Sequence, residues 1–584
     1  MIAIVNILTT ILSSIICIYA GFCYVKRTAM RRKFDESVFS GIHSEKGWYD
    51  AIGIALLIIA IIIRIWKIGQ LPDALNQDSA FAAVNAYSLM KHGYDINGVR
   101  FPVMFAALNN SQMNVLLSLL MIPFIKLIGY NNLAIVMPNL ILNIMGLLAE
   151  YYLMQRVFGA GPAMAYASVV ICNPWSYIQS RWALESNIFP HCFILCVMIL
   201  FLAVIKNNKA VLYLSTFMFG VTHYCYGLSL YVIPVFLLII FIWLLRQHKI
   251  SLTDLVWSIF FYLVSSWPFF LTIIVNMLKF HSIETALFTI PYFPHGARQG
   301  DILITGKDPL HQFFYNLYSI CKVLILQKDE LIWSYVPGFG TMMPFMVPFM
   351  VSGVILLFKR RKVKESFEHQ VMNRILIGWG IVILVAGVMT KDTNSTRLNI
   401  ALPFCLIMSG IGIYFVCSTL KYCTAIVAGI VAFMSGVFLF DYFTVYQDRF
   451  FDPKYAYSGN FTKALKKAHS YDAEKYVITP DSQYFGSQDV SEVDTLYIWR
   501  IDTDYRLGIT NDGPGNSMLP YSERFQYVNV SQIEKIDTQN TIYVARGEDL
   551  SYFDDDDFNI YTYPGFMVAV PKTIDNHRLL SYID

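Results

Sequence analysis

Apolar runs of about 18 to 25 residues recur along most of this chain, and they restrict its fold more than any other feature. At about 1.5 Å per residue, a helix of that length crosses a hydrocarbon core of about 30 Å. Lipid offers no partners to open backbone groups, so such runs must be helical. Of the 584 residues, 56% are hydrophobic and only 15% charged, against about 25% charged in soluble domains. The sequence therefore predicts a multi-pass α-helical membrane protein. Its expected spans, about 12, are residues 2–25, 51–69, 131–155, 160–178, 188–205, 209–227, 228–245, 252–278, 341–358, 374–390, 398–419 and 422–443.

The net charge of +3 gives no pointer to nucleic acid. Its distribution says more. Lys26-Arg27 with Arg31-Arg32-Lys33, Lys206 with Lys209, Arg246 with Lys249, and Lys359 to Lys364 all fall on one side if alternate loops are cytoplasmic, as the positive-inside rule requires. Residues 2–25 precede their basic run, the reverse of a cleavable signal. The expected order is an N-terminal transmembrane helix (1–25), a cytoplasmic linker (26–50) and a catalytic transmembrane module (51–278) with an outer loop at 70–130. A long outer loop (279–340), further transmembrane helices (341–444) and an extracytoplasmic domain (445–584) follow. Arg64 and Lys67, near the outer end of the second span, are expected to snorkel to the interface. Loop 70–130 is expected to hold two helices that do not cross, Ser79 to Lys91 and Ser111 to Ile128. Counting the second as a span would place the basic clusters outside.

Beyond about residue 445 polar residues rise and short β-type runs appear: Tyr476–Thr479, Thr495–Trp499, Thr541–Ala545 and Phe566–Val570. With a helix expected at Asn460–His469, these predict a small α/β domain. The chain has 10 cysteines, none beyond Cys423, so that domain has no disulfide framework. Cys192 and Cys196 read as packing residues, and Asp554-Asp555-Asp556-Asp557 as a solvated turn, since it lacks the spacing and glycine of a calcium loop.

Asp78 is the first candidate for chemistry. It either caps the helix that starts at Ser79 or acts as a general base at the membrane surface. Leu75-Asn76-Gln77-Asp78, followed by Ala86-Tyr87-Ser88-Leu89 and by Gly93-Tyr94-Asp95 with Gly98, resembles the first outer loop of polytopic GT-C glycosyltransferases. The likeness is to the bacterial branch related to dolichyl-phosphate-mannose–protein mannosyltransferases and aminoarabinose transferases, and it covers roughly residues 51–280. That family usually carries two adjacent acids here. This chain has Asp78 followed by Ser79, which keeps the base but gives a divalent metal no support.

The resemblance implies a GT-C architecture and transfer of a sugar from a polyprenyl-phosphate donor to an acceptor on the outer face, with inversion. Asp78 would be the base, with Asn76, Glu185, Asn187, His223, Tyr224 and Tyr226 around sugar and acceptor. Arg181, Arg298 and Arg397 are the candidates for the donor phosphate, because a guanidinium fork fits phosphate oxygens. Blander readings stand beside these: Arg181 with Trp182 as interfacial anchors, the tyrosines as an aromatic belt, His223 as a satisfied bundle histidine, and Arg397 as a snorkelling anchor. A transporter or flippase of lipid-linked sugars is the rival class, and an envelope polysaccharide polymerase or ligase a second. Sugar and acceptor (protein, polymer or glycolipid) stay open.

Overall fold

The computed structural model describes residues 2–30, 47–72, 75–108, 111–171, 173–294, 308–329, 331, 335–359, 366–391, 393–446, 459–481, 487–515 and 517–574. In chain order the helices are α1 (Ile2–Met30), α2 (Gly47–Ile65), α3 (Gln77–His92), α4 (Leu116–Ile128), α5 (Asn132–Phe158), α6 (Ala160–Ile171), α7 (Pro174–Gln179), α8 (Glu185–Ile205), α9 (Lys209–Val221) and α10 (Ser229–Arg246). Then come α11 (Leu252–Met277), α12 (Pro309–Leu324), α13 (Val347–Phe358), α14 (Phe367–Met389), α15 (Ala401–Thr419), α16 (Thr424–Thr444), α17 (Gly459–His469), α18 (Gln488–Trp499), α19 (Thr503–Arg506) and α20 (Tyr521–Arg524). The strands are β1 (Met104–Ala106), β2 (Gln112–Asn114), β3 (Ile283–Glu284), β4 (Thr289–Ile290), β5 (Lys475–Ile478), β6 (Phe525–Tyr527), β7 (Thr541–Arg546), β8 (Phe558–Tyr563) and β9 (Phe566–Pro571).

Among the described residues, nine helices are long and apolar enough to cross a membrane. The chain is a multi-pass α-helical membrane protein with a small α/β region towards its C-terminus. The remaining three expected spans, at 160–178, 209–227 and 341–358, are shorter helices, and local chemistry explains each. Asn173 accepts a hydrogen bond from Ser176 N at 2.8 Å and Pro174 opens α7, so the first is broken into α6 and α7. The second leaves α-geometry after Val221 for a 3-10 turn at Thr222–Tyr224. A 3-10 turn, Pro344–Met346, precedes α13 in the third. Helix α4 has 13 residues, fewer than a crossing needs.

The chain divides into two compact units: Met1–Ile68, Pro138–Phe270 and Arg298–Thr444 form one, and Gly69–Met137, Leu271–Ala297 and Val445–Asp584 the other. In the first, the helices α13 and α15 approach at small residues, as membrane helices do. A Cβ added at Gly412 would collide with the carbonyl oxygen of Phe349. Aromatic rings fill the interior. Phe193 of α8 meets Phe236 of α10 at 4.9 Å, Trp379 of α14 at 5.2 Å and Phe219 of α9 at 5.7 Å.

The second unit contains a five-stranded sheet in the order β6-β5-β7-β9-β8. Strand β5 runs parallel to β6 and β7, whereas β9 is antiparallel to β7 and β8. Strand β7 is buried through Ala545, so both faces are covered, and its run of apolar residues is uninterrupted for that reason. Tyr543 and Ala545 join Val477, Phe553, Phe558 and Met567 in one core. Three of the four β-type runs are strands, but Thr495–Trp499 is the last turn and a half of α18. Val490, Val493, Leu496 and Trp499 are its buried apolar residues, a helical spacing that the five-residue window hid. Asp554–Asp557 is an exposed turn, closed by Asp557 N–H to Asp554 O at 3.1 Å.

Candidate functional site

Helix α3 carries the leading candidate and begins one residue before it. Asn76 is its N-cap, with extended backbone (φ −81°, ψ 168°). The Asn76 side-chain oxygen accepts from Ser79 N at 2.8 Å and from Ser79 Oγ at 2.6 Å. Asp78 is therefore not the cap. It is the second residue of the helix, half-buried, at the positive end of the helix dipole. Asn76, expected at the sugar, is buried and holds the helix end. The opposite end of α3 closes on Gly93, whose φ of 75° gives the left-handed C-cap.

Residues of α19 and its N-cap, Asp502, fasten α3 and the loop after it. Thr503 Oγ1 bonds Ser88 Oγ at 2.6 Å, Arg506 donates to the Ile96 carbonyl at 2.7 Å, and Lys91 pairs with Asp502 at 3.1 Å. In that loop, Asp95 is almost fully buried and accepts N–H bonds from Asn97 at 2.9 Å and Val99 at 2.8 Å. Burial pushes its carboxyl up to about 6, against the lowering effect of those two bonds and of nearby Arg506.

His92, Asp502 and Asp504 form the one group of three metal-ligating side chains among the described residues, each offering an atom within 4.8 Å of the others. Histidine Nε2 is 2.8 Å from Asp502 Oδ1 and Nδ1 is 3.5 Å from Asp504 Oδ2.

The helical unit handles its polar residues differently. Arg181 is fully buried. Its Nη1 donates to the carbonyls of Arg64 and Trp66, each at 2.9 Å, and Nη2 to that of Lys67 at 2.7 Å. The Arg64 carbonyl lies in the last turn of α2, and Trp66 and Lys67 directly follow the helix end. The guanidinium fork expected at phosphate thus engages a helix end, and burial also removes Arg181 and Trp182 from the role of interfacial anchors. Arg64 does not snorkel either. It is fully buried and bonds Asn143 Oδ1 at 3.0 Å, Ser176 Oγ at 3.0 Å and the carbonyls of Ala60 and Val170.

Asn187, expected to bind sugar hydroxyls, belongs to a buried carboxamide network centred on Asn399. Asn399 Oδ1 accepts from Trp175 Nε1 and Gln179 Nε2, both at 2.7 Å, while its Nδ2 donates to Ser186 O at 3.0 Å and Asn187 Oδ1 at 3.1 Å. Glu185 is half-buried in the first turn of α8. His223 is the satisfied bundle histidine: Nδ1 is 3.0 Å from Ser229 Oγ, Nε2 is 2.6 Å from Tyr262 Oη, and the ring stacks on Phe269 at 5.0 Å. Tyr224 donates to the Ser265 carbonyl at 3.1 Å and Tyr226 lies half-buried near Phe189. Arg397 is half-buried in the turn before α15, its backbone N–H on Asn394 Oδ1 at 3.1 Å. Arg298 lies outside the described residues.

Neither family models nor curated proteins give a match to this chain. Solved structures do. ArnT from Cupriavidus metallidurans bound to undecaprenyl phosphate superposes over 90% of this chain and 98% of its own, at 11% identity and a TM-score of 0.53. AglB from Archaeoglobus fulgidus, in complex with an inhibitory peptide and a dolichol-phosphate, matches 77% of this chain and 63% of its own at 12% identity and a TM-score of 0.44.

The fold is of the GT-C type. Helix α3, with Asp78 in its first turn, opens the segment 70–130 in which the sequence resemblance placed the acidic motif. His92, Asp502, Thr503 and Arg506 drew no notice in the sequence. Their contacts join positions about 410 residues apart, and no periodicity within either segment encodes such a pairing. Asp78 is thus a half-buried carboxylate in the first turn of α3, and the capping duty there is carried by Asn76.

Proposed function

We propose that this protein is a membrane glycosyltransferase that moves a sugar from a polyprenyl-phosphate carrier to an acceptor hydroxyl or amine on the outer face of the membrane. The observation that carries this reading is the GT-C fold over 90% of the chain, with Asp78 in the first turn of the first-loop helix. The ArnT structure of the same fold was determined with undecaprenyl phosphate bound, and the basic run Lys26-Arg27 with Arg31-Arg32-Lys33, read as cytoplasmic, supports an outer position for loop 70–130 one span later.

Asp78 takes the proton of the acceptor as the acceptor atom bonds to the anomeric carbon. The bond from that carbon to the phosphate oxygen breaks, and its electron pair leaves with polyprenyl phosphate. Attack opposite the phosphate inverts the anomeric centre, through a transition state with oxocarbenium character. Phosphate is already a good leaving group, so no general acid is required. Its departing charge calls for a cation, and Arg397 retains that candidacy.

The test incubates purified protein with labelled polyprenyl-phosphate sugar and an acceptor screen. Release of free polyprenyl phosphate with labelled product supports transfer. Movement of intact donor across vesicles without release supports a flippase, and overturns the proposal.

A further inference from the structure

We propose that His92, Asp502 and Asp504 form a binding site for a divalent transition-type cation, with zinc as the best-suited ion, clamping the end of α3 to the segment that starts α19. The donors come from two chain segments about 410 residues apart, yet one ligand atom from each falls within 4.8 Å of the other two. The two imidazole nitrogens of His92 face the two carboxylates, Nε2 at 2.8 Å from Asp502 Oδ1 and Nδ1 at 3.5 Å from Asp504 Oδ2. Asp504 Oδ1 is buried and has no hydrogen-bond partner among the described residues. A cation held by one imidazole nitrogen and both carboxylates would give the Asp504 group the partner that its Oδ1 lacks.

The surroundings suit such an ion. Asp502 Oδ1 accepts the Asp504 backbone N–H at 2.9 Å, and Oδ2 pairs with Lys91 at 3.1 Å, so its carboxylate is already oriented. A cavity of about 380 Å³, lined also by Arg500, Thr510 and Asp512, leaves room for water to complete the coordination shell. One imidazole nitrogen with two carboxylate oxygens is a borderline donor set that favours zinc over magnesium or calcium, which seek all-oxygen shells. This site lies at the opposite end of α3 from Asp78 and does not depend on the proposed transfer reaction.

The test uses full-length protein in detergent, stripped with a chelator and dialysed against zinc chloride with magnesium chloride in excess. Bound zinc is measured by elemental analysis. The chain has 11 histidines, so the site is read as the difference between parent and variants. The expected result is one tightly held zinc per parent chain, weakened at least tenfold in His92→Ala and in the near-isosteric Asp504→Asn. Zinc should also raise the thermal midpoint of the parent but of neither variant, whereas Asp78→Asn should bind it as the parent does. A parent that retains no zinc, or an Asp504→Asn protein that retains it fully, overturns the site. If His92→Ala does not fold, Asp504→Asn and the parent decide the matter alone.

Discussion

Arg181 and Asp78 share one signal in the sequence, an ionisable residue beside an apolar run, yet the two units treat them in opposite ways. Arg181 is fully buried and turned onto the carbonyls that end α2. Asp78 stays half-buried while a neighbouring residue caps its helix. Where the apolar environment is deepest, a charge persists only when backbone or side-chain partners surround it, and those partners leave little for a substrate. The carboxylate that keeps some exposure is the one to which the proposed transfer assigns the proton. A charge in a membrane protein is therefore weak evidence for chemistry until its partners are known.

The largest expected effect follows from that contrast. Asp78→Asn should lower transfer by roughly 100- to 10,000-fold, the range a general base contributes, while expression and thermal midpoint in detergent stay at parent values. Arg181→Ala should do the reverse. It strips three carbonyls of their donor, at a cost of about 1–3 kcal/mol for each one left unsatisfied. Folded yield and thermal midpoint should fall first, and activity only in proportion to the folded fraction. An Arg181→Ala protein of parental stability but without activity would return Arg181 to the phosphate and undo the contrast.

Much of this layout was legible in advance. Eight spans lie within four residues of their expected positions and a ninth, Phe367–Met389, starts seven residues early, because hydrocarbon thickness fixes helix length and composition together. Three others were overestimated where Asn173-Pro174, a 3-10 turn at Thr222–Tyr224 and one at Pro344–Met346 interrupt apolar sequence. Composition does not register such breaks. The site is less legible in the sequence. Asn187 and Arg181 looked like ligand-binding residues because their types suit sugars and phosphate, but their partners, Asn399 and the end of α2, lie more than 100 residues away. Side-chain type gives the chemistry that is available, and only the fold says what it is used for.

A third expectation concerns Asp95 and sets the α3 loop against the buried arginines. Its folded carboxyl is raised to about 6 by burial, above an unfolded value of about 3.9. The folded state therefore binds the proton more tightly, and this group's contribution to stability is full below about 4 and is lost as pH rises through about 6. Asp95→Asn keeps an oxygen for the Asn97 and Val99 N–H groups but carries no charge. It should raise stability near pH 7.5 by no more than about 3 kcal/mol, and it should flatten the fall between about pH 4 and 6. A thermal scan of both proteins across that range reads the difference. An unchanged slope would mean that the carboxylate of Asp95 is solvated in the native protein.

The smallest effect belongs to the exposed turn at Asp554–Asp557, which supplies the limiting case of a charge with no burial at all. The Asp554 carboxylate accepts the Asp556 N–H at 3.0 Å, a bond local to the turn, while the side chain of Asp556 itself is exposed. Asp556→Asn should shift stability by less than about 0.5 kcal/mol, as exposed substitutions usually do, and calcium should leave the thermal midpoint of both proteins unmoved. A calcium-dependent rise that vanishes in the variant would make the turn an ion site, and exposure would then be no guide to which acidic residues this protein uses. Without such a rise, the gradient holds from Arg181 through Asp95 and Asp78 to Asp556. At the buried end a charge fixes structure, at the half-buried stage the proposed reaction puts it to use as a base, and in full solvent it does little beyond keeping a turn wet.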